Sequence, residues 1–183
     1  MQKTITFLLL VLASYTAGAQ LYFTRSGKIS FYSHAPMEDI EAHNSSATSV
    51  LNISNGRIEF AVLIKGFQFK KSLMQEHFNE NFMESSKYPK GVFKGYIRNL
   101  DEIDFKKNGT YTARVSGKLT IRGITKRVSA KGKFTVKNGR ISATSNFRVA
   151  IDDYDIKVPR VVIDNIAKVV RVDVKMEYRV LKR

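Results

Sequence analysis

The stretch YTARVSGKLTIRGITKRVSAKGKFTVKNGRISATSNFRVAI, residues 111–151, alternates between apolar or small residues and polar ones. Tyr111, Ala113, Val115, Gly117, Leu119 and Ile121 take one parity; Thr112, Arg114, Ser116, Lys118, Thr120 and Arg122 take the other. The alternation resumes from Val128 to Val136 and again from Ile141 to Ile151. Successive side chains on a strand point to opposite faces, so each run has one dry face and one wet face. Strands buried on both faces would read as unbroken apolar runs. Lys137-Asn138-Gly139-Arg140 sets Asn-Gly between two of these runs, a strong hairpin signal, and Gly123-Ile124-Thr125 joins another pair.

The same period extends outward. Val170, Val172, Val174, Met176, Tyr178 and Val180 alternate with Arg171, Asp173, Lys175, Glu177 and Arg179. Asn55-Gly56 joins Ser49–Ser54 to Arg57–Lys65, and Lys107-Asn108-Gly109 precedes the Tyr111 strand. Parallel strands need long crossovers, for which the chain has no room, so the pairing is antiparallel. One segment departs from the pattern. Between Ser72 and Met83, apolar residues fall at Leu73, Met74, Phe78 and Phe82, close to one helical face, with Ser72 placed as N-cap and Pro89 beyond the end. The strands run to about 10–13 residues, against a usual 5–6. Long one-sided strands in a meander curl and close, which removes exposed edges. The expected class is all-β, an antiparallel barrel of about eight strands with one short inserted α-helix.

The first nineteen residues are set apart from the domain. Lys3 gives a positive start, Ile5 to Tyr15 an apolar run, and Ala17-Gly18-Ala19 a small-residue cleavage site, the layout of a secretory signal peptide over residues 1–19. The run falls short of the roughly 20 apolar residues a span requires. Residues 20–183 then form one domain with a periplasmic or secreted location. The chain has no cysteine, so its stability rests on its core and not on disulfides. The formal charge of +15 lies mainly on the wet faces. Nucleic-acid binders interleave exposed aromatics with cations, whereas here the strand aromatics share the dry face. Nucleic acid is therefore not expected as a partner, and weak contact with an anionic membrane surface is. The oligomeric state is left open, a dimer being one option.

Small residues crowd the middle of the dry faces: Ala113, Gly117, Ala130, Gly132, Ala143 and Ser145. Such residues leave space inside a barrel or serve a taper and sharp strand bends, and the pattern alone fits both. Strand parity turns Phe60, Val62, Phe69, Phe93, Val115, Leu119, Phe134, Phe147, Val172, Val174 and Met176 inward, with a one-residue slip allowed for near Gly66 and Gly95. His34 and Tyr178 are the candidates to meet a ligand's polar head.

Three segments carry a resemblance. Leu73-Met74-Gln75-Glu76-His77-Phe78 with Phe82, Lys87-Tyr88-Pro89 and Val92-Phe93-Lys94-Gly95 resembles the YceI-like family. So does Gly117 to Lys126, which matches the pattern Leu-Thr-x-x-Gly-x-Thr-Lys, and, more weakly, Phe147 to Ile156. Tyr22 to Lys28 departs from it, lacking the Asp that usually follows the first aromatic. The resemblance implies a lipocalin-like extended barrel, often exported. Some members hold isoprenoid or other lipid-like chains in an apolar pore.

No catalytic constellation is legible. His34, His43 and His77 lack zinc-site spacing, and no metal or cofactor is expected. Asp101, Glu102 and Asp104, and Asp152, Asp153 and Asp155, sit in turn-like segments where Asp caps local backbone. There is no Gly-x-Ser-x-Gly elbow and no phosphate loop. The leading expectation is a non-enzymatic binding protein for a long apolar molecule of isoprenoid or fatty acyl type. A filled barrel acting as a structural protein docked on the envelope, and an enzyme acting on a lipid in the cavity, are the other two readings.

Overall fold

The computed structural model describes residues 20–181; the proposed signal peptide lies outside the described residues. The strands are β1 (Leu21–His34), β2 (Asp39–Asn52), β3 (Arg57–Leu63), β4 (Gln68–Phe69), β5 (Lys90–Ile97), β6 (Gly109–Ile121), β7 (Ile124–Lys137), β8 (Arg140–Ala150) and β9 (Val169–Val180). They form one antiparallel sheet in the order β1-β9-β8-β7-β6-β5-β3-β2, and β1 also pairs with β2, so the sheet closes. Two-residue β4 pairs with Ala42 and His43 on the β2 edge that β3, paired at Thr48–Leu51, leaves free. β3 and β4 thus act as one interrupted strand of a closed eight-stranded barrel.

The local chemistry explains the turns. Arg122 and Gly123, with φ of 48° and 75°, and Asn138 and Gly139, with φ of 51° and 74°, both make two-residue hairpins with left-handed central residues. That geometry matches the twist of the flanking strands. The longer turn before β3 closes on Gly56, at φ 72°. β1 carries register shifts on either side of Gly27, where the Met176 side chain leaves no room for a Cβ. This glycine bulge kinks the strand that closes the barrel.

Two expectations need correction. β2 runs from Asp39 to Asn52, well beyond the expected Ser49–Ser54, because its inward residues include Ala42 and Ala47, too small to mark an apolar face. Ser72 is not an N-cap. Lys71 holds that extended position, Ser72 begins α1 (Ser72–His77), and no side chain caps the first turn. The Gln75 side-chain carbonyl instead accepts the Phe69 N–H at 3.1 Å. The helix then widens into one π-type turn, Phe78–Phe82.

The packed core fills one end of the barrel. Tyr22, Leu51, Ile58, Ile97, Phe134, Ile141, Met176 and Tyr178 are all buried there. The edge of β6 beyond the reach of β5 is finished by buried Asn99. Its amide donates to the Thr112 carbonyl at 2.9 Å, and its carbonyl accepts the Arg114 N–H at 2.7 Å.

Candidate functional site

Above that floor the barrel is hollow. Inward side chains at mid-height, among them Phe60, Val62, Phe93, Val115, Ala143 and Val174, are only partly buried although they sit inside the barrel. They border a cavity of about 280 Å³ whose wall is almost wholly apolar. The open alternative of a filled interior is therefore settled in favour of space. Small residues Gly91, Ala113, Ala130, Gly132, Ala143 and Ser145 are among its wall residues. Of the inward polar groups, Ser33 Oγ accepts the Ala167 N–H at 2.8 Å and Ser145 Oγ donates to the Lys131 carbonyl at 2.8 Å. Both hydroxyls are thus already partnered.

The structure places Phe60 and Val62 of β3, Phe69 of β4 and Phe93 of β5 on the cavity wall. Val115 and Leu119 of β6, Phe134 of β7, Phe147 of β8, and Val172 and Val174 of β9 complete the set brought together there. The pairing of β3 with β5 runs unbroken from Arg57–Tyr96 to Leu63–Lys90, so no slip occurs at Gly95.

Three candidates lie elsewhere. Met176 is fully buried in the floor, pressed against Gly27. Tyr178 is also in the floor. Ser49 Oγ gives its proton to the Glu59 carbonyl, so the Tyr178 hydroxyl donates to Ser49 Oγ at 2.8 Å. Burial pushes that hydroxyl far above the usual phenol range. His34 is outside the cavity, 91% exposed and 2.5 Å from the Asp39 carboxylate. A polar head therefore finds neither Tyr178 nor His34 in the wall. Parity placed Met176 and Tyr178 inward correctly; it does not say how deep along the axis a residue sits.

The roof is built from residues that strand periodicity does not reach. Phe78, at the end of α1, stands 5.4 Å from Phe31, 5.8 Å from Phe67 and 5.0 Å from Phe69, ring centre to ring centre. Met74, Phe78 and Phe82 all border the cavity, and no residue of α1 is fully buried. The helix is thus a cover held by one aromatic cluster. Their signal in the sequence was the helical spacing itself, which located the helix without saying what it covers.

Two polar ties hold the rim. Glu38 takes Lys71 Nζ at 2.7 Å on one oxygen and Asn165 Nδ2 at 3.4 Å on the other, and Met37 N–H donates to the Asp164 carbonyl at 3.1 Å. These join the β1–β2 turn, the start of α1 and the 3-10 segment Arg160–Asn165. Across the mouth, Arg122 pairs with the Glu84 carboxylate, with the Asp155 carbonyl at 2.5 Å and with the Asp155 carboxylate at 3.2 Å. The Tyr88 ring lies against Gly123 in the same turn. Among the described residues, no three His, Asp or Glu side chains converge on a point where a metal would sit.

The YceI-like domain model matches residues 22–178. The chain belongs to the YceI-like family. No curated protein sequence matches it. Solved YceI-like and related barrels share its fold. A polyisoprenoid-binding domain from Saccharophagus degradans, implicated in plant cell wall breakdown, superposes with a TM-score of 0.76 at 10% identity, covering 88% of this chain and 98% of that one. Burkholderia cenocepacia BcnA gives 0.67 at 15% identity, with 84% and 96% covered. The Campylobacter jejuni YceI protein gives 0.53 at 14% identity, with 100% and 92% covered. Identities this low speak for the fold alone. In this YceI-like barrel the cavity wall is made mainly by the residues of β3 to β9 and the helix named above.

Proposed function

We propose that the protein is an exported carrier that holds a long apolar molecule, an isoprenoid or fatty acyl chain, inside the barrel without transforming it. The single observation behind this reading is the cavity of about 280 Å³ inside the barrel, with an almost wholly apolar wall. An empty apolar void forfeits contacts on every side, and an apolar ligand restores them. Each 100 Å² of ligand surface removed from water contributes about 2.5 kcal/mol, less the cost of ordering the chain. The polyisoprenoid-binding domain among the similar structures supports the ligand class. Loading and release take place at an anionic membrane surface, to which the mature protein is drawn, its formal charge being +15 less the one cation, Lys3, of the signal peptide.

The test is native mass spectrometry with solvent extraction of protein purified from its natural host. The expected result is an apolar lipid in stoichiometric amount. Protein that carries no extractable lipid and also excludes a fluorescent fatty acyl probe would overturn the proposal.

A further inference from the structure

Charge is distributed unevenly around the barrel. The four adjacent strands β5, β6, β7 and β8 contain eleven Lys and Arg residues and no Asp or Glu. All sixteen carboxylates of the chain lie elsewhere, among the other twenty cations. On β9, by contrast, Arg171 pairs with Asp173 and Lys175 with Glu177. The outward cations of the four strands are not merely near one another. Lys94 is the register partner of Lys118, Lys118 of Arg127, and Arg114 of Lys131. Like charges directly opposite on a sheet repel and cost stability. Solubility needs no such arrangement, whereas a polyanionic partner neutralises it.

The same wall carries an incomplete seam. β7 pairs with β6 over its whole length, from Ile124–Ile121 to Val136–Gly109. Its other edge pairs with β8 only from Gly132–Ser145 to Lys137–Arg140. Beyond Gly132 the two strands run on without ladder pairing, although β8 still pairs with β9 as far as Ala150–Val169. The cavity reaches this seam. Its wall includes Lys133 and Thr144, register partners that alternate outward beside the last paired residues, together with Ala130 and Phe147 from the two diverging strands. Exposed Lys131 and Arg148 flank the gap on the outside.

We infer that the β5–β8 wall docks on an anionic lipid bilayer and that the β7–β8 seam is the lateral passage between that bilayer and the cavity. The inference rests on the carrier reading for the choice of bilayer over other polyanions. Phosphate head groups neutralise the opposed cations, and the unpaired stretch lets an acyl or isoprenoid chain cross the wall without traversing water. Outward aromatics that would stack nucleic-acid bases are sparse on these strands, Tyr96 being the exposed one.

The test uses the full mature chain in vesicle flotation, comparing pure phosphatidylcholine with phosphatidylcholine containing phosphatidylglycerol, at low and high salt. One variant combines Arg127→Glu, Lys131→Glu and Arg148→Glu, three exposed residues of the wall that do not border the cavity. A control combines Arg25→Glu, Lys28→Glu and Lys65→Glu, the same charge change away from the wall. Cations near such a surface contribute roughly fivefold each, so the seam variant should lose binding by more than about tenfold while the control stays within a few fold. Binding should also fall with salt. Transfer of a fluorescent lipid from anionic vesicles should slow in parallel, while uptake of a soluble fatty acyl probe should stay unchanged. Equal losses in the two variants, or binding to RNA or heparin without binding to anionic vesicles, would overturn the inference. If wild-type protein binds the soluble probe but not the vesicles, docking fails and carriage stands; if it binds vesicles but not the probe, the reverse holds.

Discussion

Gly95 and Gly117 face each other on β5 and β6 so closely that a Cβ on residue 117 would stand 2.6 Å from the Gly95 Cα. The Phe93 ring lies across both, its tip 2.8 Å from that same point. Gly117→Ala should therefore force the β5 backbone at Lys94 and Gly95 apart from β6, displace the Phe93 ring, and lower stability by about 1–3 kcal/mol or more, the usual range for overpacking. Urea unfolding measures the loss. An unchanged midpoint would mean that the strands separate freely at this point.

Filling the cavity should separate folding from binding. Ala130 borders the empty space and is the register partner of Val115. Ala130→Phe places a large apolar side chain where no atoms now stand, so the thermal midpoint should move by no more than a few degrees. Affinity for a fluorescent fatty acyl probe should fall by about tenfold or more, since one displaced ligand segment of a few CH₂ groups accounts for that much. A variant that binds as tightly as the parent would place the ligand elsewhere.

The cover should loosen before the barrel does. Phe78→Ala removes the ring that touches Phe31, Phe67 and Phe69. Large-to-small aromatic changes in a full core cost about 3–5 kcal/mol, and partial burial of Phe78 puts this one nearer 2. Hydrogen exchange should accelerate in residues 70–85 and stay slow in β6 and β7, with faster ligand release. Uniform acceleration across all strands would show that the helix and barrel unfold as one unit.

Acid should weaken the fold through two specific carboxyls, Glu38 at the rim and Glu102 at the floor. The Lys71 hydrogen bond, then that of Asn165, holds Glu38 below its ordinary value of 4.5. Asn99, then Arg114, does the same for Glu102. Their folded values lie below the unfolded ones, so their contribution is complete at neutral pH and disappears as pH falls through the folded value. The stability of Glu38→Gln/Glu102→Gln should depend less steeply on pH below 4.5 than that of the parent. The check is a series of urea midpoints from neutral to acid pH; parallel curves for the two proteins would refute the assignment.

How much of this was legible in the sequence follows from what each signal encodes. Alternation fixes which side of the wall a residue faces, and so it found the β6–β9 residues of the cavity, Val115 and Val172 among them. It does not encode height along the axis, which is why Met176 and Tyr178, of the same parity as Val172 and Val174, turn out to belong to the floor. β2 was mostly missed because Ala42 and Ala47 bury fully while giving almost no hydrophobic contrast. Phe31, Phe67 and Phe78 meet only in three dimensions, from β1, the β3–β4 link and the helix, and no local period connects them. The incomplete β7–β8 ladder leaves no trace in either strand's alternation, since that pattern reports faces and not edges.

Among the described residues four non-glycines adopt positive φ, and Glu84, Arg122 and Asp155 are three of them. One guanidinium joins all three. Left-handed backbone costs an L-residue on the order of 1 kcal/mol; the hairpin geometry calls for it at Arg122, and the contacts of the guanidinium help to hold it at Glu84 and Asp155. The cation works as the keystone of an arch: from the β6–β7 turn it ties down both the Glu84 bend and the Asp155 bend, so the three segments on that side of the mouth share one fastening.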